Sequence, residues 1–192
     1  MLKDLIRTNR SYRRFHQDVA IDTQTLRELV ELARLTPSAG NKQPLKYVLS
    51  CSQASNNLIF QHLTWAVYLR SWPGPAEGER PSAYVILLGD KNLATSFGYD
   101  AGIAAQSILL GATERGLGGC IIAFIDREKL RTALELPEHL EILLVLALGK
   151  PAEEVVIEPL GAGEKIEYWR DEKGLHHVPK RALDELIFKQ LT

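Results

Sequence analysis

A basic segment near the N-terminus carries the side chains best suited to holding an anion. Arg10, Arg13 and Arg14 lie within five residues of one another, with Ser11 and Tyr12 between them. A guanidinium group presents planar, multiple N–H donors that match phosphate oxygens, and a serine hydroxyl or backbone amide completes such a cradle. The segment therefore predicts a phosphate-binding site, although a solvated surface turn has the same composition.

A second basic pair, Lys180 and Arg181, follows Pro179 near the C-terminus. Proline favours the first turn of a helix, so we expect a final helix from Pro179 to Phe188. Two cations at a helix N-terminus are unfavourable by roughly 0.3–1 kcal/mol each, and a bound anion would remove that conflict. The pair predicts either a phosphate site or two tolerated surface charges.

The loop 37–44 concentrates turn residues and the amide side chains of Asn41 and Gln43. Amides offer both donors and acceptors, as a flat heterocycle with alternating carbonyls and ring nitrogens requires. By composition alone the loop is also an ordinary polar turn. The glycine-rich segment 116–119 lacks the G-x-G-x-x-G spacing and follows a predicted helix, so a dinucleotide-binding Rossmann motif is only weakly indicated.

Hydrophobic periodicity predicts the elements that position these segments. Helices are expected at the N-terminus, from Asp22 to Thr36, over 54–64, over 99–115 and after Asp126, with strands over 45–51, 84–88, 120–123 and 143–148. This alternation favours a layered α/β architecture with a parallel, doubly wound sheet. The helix 99–115, ended by Gly116, has an apolar surface broad enough for a subunit interface. Residues 152–178 show no periodicity and predict an extended arm that packs along another surface.

Length, charge and cysteine content exclude several classes of protein. A chain of 192 residues with 45% hydrophobic and 24% charged residues suits one domain, 1–192, of an ordinary globular protein. A net charge of −1 argues against nucleic-acid or membrane-surface binding, and the absence of a long apolar run predicts a cytoplasmic protein. Cys51 and Cys120 are expected to be buried free thiols. His176 and His177 lack a third ligand at suitable spacing, so we expect no metal site.

Five segments, in order along the chain, resemble the FMN-dependent nitroreductase family. They are Arg10–Phe15, the loop 37–44, the helix exit 116–120, the strand end 148–151 and the terminal segment 178–181. The resemblance implies an α+β fold, a three-layer α/β/α sandwich with a mixed, largely antiparallel sheet, in place of the parallel sheet that periodicity favours. It also implies an intertwined homodimer with two FMN sites at the interface, in which the arm 152–178 packs on the partner subunit.

The resemblance also implies roles for individual residues. The FMN-binding residues would be Arg10, Ser11, Tyr12, Arg13, Lys180 and Arg181 near the phosphate and ring edge, Pro37, Ser38, Ala39, Asn41 and Gln43 from the partner subunit, and Ile122 and Ala123 with their backbone against flavin N5. The chain departs from the family pattern at Asn9, where arginine is frequent, and at Leu45, where tryptophan is common.

The activity implied by the resemblance is hydride transfer from NAD(P)H through flavin N5 to an electron-poor acceptor, such as a nitroaromatic compound or a quinone, by a ping-pong mechanism. In this interpretation the cofactor supplies the redox chemistry and no side chain is the catalyst, while Arg13 stabilises the anionic reduced flavin. Trp65, Tyr68 and Trp72 shape the substrate pocket or pack beside the sheet. The alternatives are a specialised flavoenzyme of the same fold, such as a dehalogenase or dehydrogenase, and a non-catalytic FMN-binding sensor or carrier.

Overall fold

The computed structural model describes residues 1–161 and 163–191. Its helices are α1 (Leu2–Thr8), α2 (Thr23–Arg34), α3 (Gln53–Phe60), α4 (Gly98–Glu114), α5 (Arg127–Ala133) and α6 (Leu183–Leu186). Its strands are β1 (Phe15–His16), β2 (Leu45–Ser50), β3 (Ala83–Asp90), β4 (Gly118–Ile122), β5 (Leu140–Pro151), β6 (Val155–Pro159), β7 (Trp169–Arg170) and β8 (His176–Lys180). None of the helices in these residues is long and apolar enough to cross a membrane.

The main sheet has five strands, and every pairing in it is antiparallel. Strand β5 lies at its centre, with β3 and then β2 on one side and with β4 and β1 on the other. The parallel sheet predicted from periodicity is therefore wrong, and the antiparallel arrangement implied by the family resemblance is confirmed. Helices cover β3 on both faces, so all eight of its residues are buried. A strand buried on both faces is a continuous apolar run whether it pairs parallel or antiparallel, so periodicity does not distinguish the two arrangements.

Two hydrophobic cores lie on opposite faces of this sheet, which makes the molecule a three-layer sandwich. Alternate residues of β3 point to opposite faces. Val85 and Leu87 pack with α2 and α4, whereas Ile86 and Leu88 pack with residues of α3 and α5. Both helical layers are thus anchored on one strand, and each fully buried leucine or isoleucine contributes roughly 1.5–3 kcal/mol.

Several helix boundaries are where capping chemistry predicts them. The Asp22 carboxylate accepts a hydrogen bond of 2.7 Å from the backbone N–H of Thr25 and begins α2, and Asp126 caps α5 in the same way. After α4, Gly116 has a φ of +72° in the left-handed region, which favours glycine. These local signals place α2, α4 and α5 correctly.

The C-terminal segment differs from its prediction. Within 152–178 the chain forms β6, β7 and much of β8, which pair as a small sheet in the order β6-β8-β7. Pro179 and Lys180 belong to β8 and do not begin a helix, and α6 has only four residues. Pro179 lies beyond the two residues of β8 that pair with β7, His176 and His177. Its missing N–H therefore disrupts no ladder there, so proline is compatible with this strand position.

Candidate functional site

The candidate site lies at the outer edge of β4, where part of the strand has no backbone pairing partner in the described chain. At the start of the strand the Gly119 carbonyl accepts a hydrogen bond of 3.0 Å from the Tyr12 N–H, and just past its end the Phe124 carbonyl accepts one of 2.9 Å from the Thr64 N–H. Within the described chain, no strand pairs with this edge between those two points. Alternate residues of a strand direct their backbone groups to opposite edges, so Ile121 faces outward with Gly119, whereas Ile122 faces β5.

A cavity of about 210 Å³ lies at this open edge. Its wall is formed by Arg13, by Tyr168, by the segment Thr64, Trp65, Ala66 and Val67, and by the β4 residues Cys120, Ile121 and Ile122 with the following Ala123 and Phe124. The structure therefore brings three of the predicted site residues, Arg13, Ile122 and Ala123, to one place. Ala66 has a φ of +42°, an uncommon conformation for a non-glycine residue, which typically persists where the surroundings enforce it.

Arg13 is the one cation in the wall of this cavity, and it is only 8% exposed. Its Nη1 atom donates to the Ser11 carbonyl at 3.2 Å and lies 3.3 Å from Nε2 of His176. The guanidinium also lies over the Tyr168 ring, 4.5 Å from its centroid, in a cation–π contact. These contacts hold the side chain in one orientation and leave donors of the guanidinium for a ligand.

The buried carboxylate of Glu153 holds the Arg13 backbone. The Glu153 side chain is 1% exposed and forms an ion pair of 2.8 Å with Arg170 of β7. Its other oxygen accepts hydrogen bonds from the backbone N–H groups of Arg13 at 2.5 Å and Arg14 at 3.1 Å. A buried charge is tolerated when it is paired and hydrogen-bonded in this way. The small C-terminal sheet thus fixes the N-terminal basic segment.

His176 is fully buried behind Arg13. Burial, followed by the positive charge of Arg13, lowers the pKa of His176 to about 4, so the ring is neutral near pH 7. A guanidinium has no acceptor, so Nε2 of His176 accepts from Arg13 and the ring proton lies on Nδ1. Nδ1 has no hydrogen-bond partner among the described residues. Because the His176 ring is neutral, it accepts a hydrogen bond from Arg13 and orients the guanidinium without placing a second positive charge beside it.

Trp65 forms another part of the cavity wall. It is buried, and its ring contacts Phe60 at a centroid distance of 5.9 Å. A Cβ at Gly74 would lie 2.7 Å from the indole, and Gly74 has a φ of +112°, so only glycine lets the following loop close over this ring. The indole N–H of Trp65 is buried without a partner in the described structure. An unpaired buried donor in a cavity wall indicates a ligand or water acceptor there.

The other members of the N-terminal segment have structural contacts. Arg10 donates to the carbonyls of Asn9 at 2.6 Å and Ile6 at 2.7 Å, and the Tyr12 hydroxyl donates to the Thr8 carbonyl at 2.8 Å. Both side chains thus satisfy carbonyl groups at the end of α1. The side chains of Arg10 and Tyr12 do not line the cavity, and Ser11 is exposed beside it.

The loop 37–44 is held at the other end of α4. Asp100, buried in the first turn of that helix, accepts hydrogen bonds from the Ser38 hydroxyl at 2.5 Å and the Ala39 N–H at 2.9 Å. Asn41 and Gln43 have positive φ angles of 53° and 49°, so the loop is conformationally strained. Pro37, Ser38 and Gln43 line a cavity with α2 and β2, and Ala39 lines another beside the α4 N-terminus. The basic segment instead contacts Gly119, just after the C-terminus of α4. Because α4 is about 25 Å long, the loop 37–44 and the basic segment lie near opposite ends of this helix.

Lys180 and Arg181 form no hydrogen bond or ion pair with the N-terminal basic segment within residues 1–161 and 163–191. Lys180 is exposed at the end of β8, and Arg181 forms an ion pair of 3.3 Å with Glu185. Because no regular helix begins at Pro179, the expected anion site at a helix N-terminus is absent from the described structure. Any phosphate contact from this pair would come from the side chains alone.

Comparison with known proteins identifies the family. The sequence profile of the nitroreductase family matches residues 6–150, three quarters of the chain. The chain belongs to the nitroreductase family. An FMN-dependent nitroreductase of Clostridium difficile has the same fold, with a TM-score of 0.65 at 22% identity over 78% of this chain and 87% of that one. The resemblance seen in the sequence is thus confirmed, and with it the fold.

Curated relatives in this family have more than one function. An NADH dehydrogenase of Thermus thermophilus is 27% identical over 191 residues, covering 84% of this chain and 92% of the relative. A 5,6-dimethylbenzimidazole synthase of Rhodospirillum rubrum is 27% identical over 184 residues, covering 83% of this chain and 86% of the relative. Membership of the nitroreductase family supports an oxidoreductase activity.

The sequence did not predict the residues that support Arg13 and the cavity at β4. Glu153, Tyr168, Arg170 and His176 lie in the segment predicted to be irregular, and their burial depends on the sheet β6-β8-β7. Asp100 carried a signal, because a carboxylate in the first turn of an otherwise apolar helix is unusual when buried. Of the aromatic residues singled out, Trp65 lines the cavity, Tyr68 packs edge-on against Tyr168 at 5.0 Å, and Trp72 lies under Arg170.

The two cysteines also differ from one another. Both are free, but Cys120 is buried in the cavity wall, whereas Cys51 is only half-buried and contacts the Thr23 hydroxyl at 3.3 Å. The prediction of burial is therefore confirmed for Cys120 and wrong for Cys51. Burial raises the pKa of the Cys120 thiol, so it remains protonated near neutral pH.

Proposed function

We propose that this protein is an FMN-dependent oxidoreductase that transfers hydride from NAD(P)H to an electron-poor acceptor, such as a nitroaromatic compound or quinone, by a ping-pong mechanism. The observation that carries the proposal is the cavity at the open edge of β4, whose wall includes Arg13, Ile121 with its outward-facing backbone, and Trp65 with its unpaired indole N–H. Family membership and the name of the Clostridium difficile structure support FMN as the cofactor, and the name of the Thermus relative supports NADH as donor.

The residues of the cavity fit one side of a flavin ring. Arg13 and the Trp65 N–H offer donors for ring carbonyls and nitrogens, and the exposed side chains of Ile121 and Phe124 offer apolar surface at the mouth. The cavity volume of about 210 Å³ is smaller than typical ligand pockets of roughly 300–1,000 Å³, which agrees with a site that one chain builds only in part.

FMN, when bound, would accept hydride from the nicotinamide and pass it to the acceptor. The chain's own residues provide orientation and electrostatics. Arg13, held by His176 and Tyr168, would donate to the ring edge where negative charge develops, in a buried setting where such a contact is strong. The N–H of Ile121 faces the open edge of β4, so we propose Ile121 rather than Ile122 as a backbone donor near flavin N5, with Ala123 the alternative.

The remaining contacts require a second chain and some rearrangement. Ser38, Ala39, Asn41 and Gln43 are attached to the N-terminal end of α4, so we propose that they reach the flavin of the partner subunit in a homodimer. Ser11 is exposed and available for the phosphate. Arg10 and Arg181 would exchange their present contacts for phosphate oxygens, and exposed Lys180 would join them.

The experiment that tests the proposal is an absorbance spectrum of purified protein followed by anaerobic titration with NADH and NADPH. We expect a flavin spectrum, release of FMN on denaturation, bleaching by a nicotinamide, and recovery on addition of a nitroaromatic compound or quinone. Release of FAD, or no flavin binding after reconstitution, would refute the cofactor assignment. Bound FMN that neither nicotinamide reduces would instead indicate the sensor or carrier function.

A second candidate function is favoured by one comparison. The Rhodospirillum relative is named a 5,6-dimethylbenzimidazole synthase, and the alignment with it covers most of both chains. This candidate predicts that 5,6-dimethylbenzimidazole accumulates when the protein is incubated with FMN and a reduced nicotinamide in air. Chromatography of that mixture decides between the two, because only the second candidate yields 5,6-dimethylbenzimidazole.

A further inference from the structure

A further cavity lies at the other end of β2 from the loop 37–44, between α3 and the segment that leads into β3. This α3 cavity has a volume of about 460 Å³ and is lined by Gln17, Asp18, Ala20, Cys51, Gln53, Asn56, Asn57, Phe60, Glu77, Gly78, Arg80, Pro81, Ser82 and Tyr84. It shares no lining residue with the cavity at β4. Its volume is within the range of small-molecule sites.

Three residues that line the α3 cavity carry buried hydrogen-bond donors without partners. Within the described chain, the hydroxyls of Ser82 and Tyr84 and Nε of Arg80 are buried without a hydrogen bond. Ser82 is 7% exposed and Tyr84 is 1% exposed. Residues two apart on a strand share a face, so these side chains point to the same side of the sheet. An unpaired buried polar group costs about 1–3 kcal/mol, so three in one cavity indicate an absent acceptor.

Neighbouring side chains hold these donors in place. The side-chain Oε1 of Gln17 accepts hydrogen bonds from the backbone N–H groups of Gly78 at 2.8 Å and Arg80 at 3.2 Å, which fixes the backbone position of Arg80. The buried Asn56 amide donates to the Ser82 carbonyl at 2.7 Å. The Arg80 guanidinium lies over the Phe60 ring at 4.4 Å. The donors are therefore preorganised, which lowers the entropic cost of binding.

The charges of the α3 cavity select the class of ligand. Arg80 forms no ion pair within residues 1–161 and 163–191, and burial raises the pKa of Tyr84, so its hydroxyl remains a donor. A guanidinium and two hydroxyls among the lining residues are donors that suit an oxyanion. Asp18 and Glu77, both exposed, also line the cavity and would disfavour a dianion such as phosphate. Phe60, whose ring lies under Arg80, and Pro81 add apolar residues to the lining for the body of the ligand.

We propose that the α3 cavity binds a small monocarboxylate with an apolar or aromatic body, whose carboxylate accepts hydrogen bonds from Arg80, Ser82 and Tyr84. The site is independent of the flavin, because none of these residues lines the cavity at β4. A ligand there would bridge α3 and the segment 77–82, which also carries Glu79, the ion-pair partner of Arg14.

The test is isothermal titration of the purified holoprotein with benzoate, with benzamide and inorganic phosphate as comparison ligands. We expect benzoate to bind with unchanged flavin absorbance and to be favoured over both others. Tyr84→Phe and Ser82→Ala should each weaken benzoate binding roughly tenfold or more, since each removes a hydrogen bond to a charged acceptor. Tyr68→Phe, on an exposed tyrosine outside the cavity, should leave the affinity unchanged.

Location is tested separately by soaking crystals with 4-bromobenzoate and measuring the anomalous signal of bromine. A peak in the α3 cavity together with solution binding supports the proposal. Binding at crystal concentration only, a peak at β4 alone, or equal affinity in Tyr84→Phe would overturn it, and tighter binding of phosphate would overturn the ligand class. Tyr84→Phe should fold normally, because it deletes an unpaired hydroxyl and keeps the ring.

Discussion

At the scale of single residues, the orientation of Arg13 depends on a carboxylate that does not line the cavity. Glu153 binds two backbone N–H groups of the basic segment and neutralises Arg170, whose Nε is already without a partner in the described chain. We expect Glu153→Ala to lower the free energy of unfolding by about 3–5 kcal/mol, because it leaves a buried charge unpaired. Urea denaturation measures this loss. Glu154→Ala, on the exposed neighbour, is the control and should change stability by less than about 0.5 kcal/mol; equal effects would contradict the role of Glu153.

The adjacent histidines should respond oppositely to pH. Burial lowers the pKa of His176 to about 4, whereas hydrogen bonding to Glu158 raises the pKa of His177. Between about pH 6.5 and 4 the unfolded chain binds a proton at His176 that the folded chain excludes, so acidification destabilises the fold. The contribution is about 3 kcal/mol, at about 1.4 kcal/mol per pKa unit.

This dependence is measured by urea unfolding from pH 4 to 7, with NMR titration of both rings. His176→Gln should flatten the decline of stability with acid, while His177→Gln should not. The stabilisation from His177 has the opposite sign: it is present below the ordinary histidine pKa and is lost as pH rises through the raised value. A His176 ring that titrates above pH 6 would contradict the buried, neutral acceptor.

The cysteines test whether the protein supplies a nucleophile. Cys120 lies in the cavity wall, yet burial raises its pKa, and a protonated thiol is a poor nucleophile. We expect Cys120→Ser to leave the half-reaction with the nicotinamide within about threefold of wild type, as the distant Cys51→Ser should. Stopped-flow absorbance of the flavin measures this step. Loss of reduction in Cys120→Ser with normal flavin content would show that the thiol takes part in chemistry.

At the scale of elements, the first turn of α4 positions the loop predicted to contact the flavin. Asp100 accepts hydrogen bonds from Ser38 and Ala39 and so stabilises a loop with left-handed Asn41 and Gln43. We expect Asp100→Ala to weaken FMN binding about tenfold or more, because charge-assisted hydrogen bonds contribute about 1.5–3 kcal/mol. Asp100→Asn should retain part of the affinity. Fluorescence titration of FMN measures both, and unchanged affinity in Asp100→Ala would separate the loop from the cofactor.

The elements also show what the sequence predicts and what it leaves open. Local signals located α2 and α5 through Asp22 and Asp126, because a cap acts within a few residues. The sequence does not show whether β3 pairs parallel or antiparallel with its neighbours, because a strand buried on both faces is a continuous apolar run in either case. β6, β7 and β8 were missed because β6 and β8 pair residues 21 positions apart, β7 pairs with β8 over only two residues, and Arg170 and His176 contact Glu153 and Arg13 from distant parts of the sequence. For the same reason, Arg13 was found by residue type, but its partners Glu153 and His176 were not.

At the scale of the whole molecule, the surface carries apolar side chains that a single chain leaves uncovered. Tyr99 is 84% exposed and shares one face of α4 with Ile103, and Leu2 and Ile6 of α1 are also exposed. The last residues of the chain add Leu183, Leu186, Ile187, Phe188 and Leu191. Exposed apolar side chains in this number mark interaction sites, and we propose that a second copy covers them in a homodimer.

The homodimer proposal is tested most directly by complementation between two impaired variants, assayed at a limiting FMN concentration at which each variant alone has little activity. Arg13→Met removes the guanidinium at the β4 cavity, and Asp100→Ala releases the loop 37–44. If each flavin site combines the Arg13 region of one chain with the loop of its partner, a heterodimer of these variants contains one intact site and one doubly altered site. Random exchange makes half of the dimers mixed, so an equimolar mixture should recover about a quarter of wild-type activity per site. Native mass spectrometry establishes that exchange has occurred. Mixed dimers without recovered activity would show that one chain builds the whole site, and a stable flavin-loaded monomer in sedimentation would refute the shared site altogether.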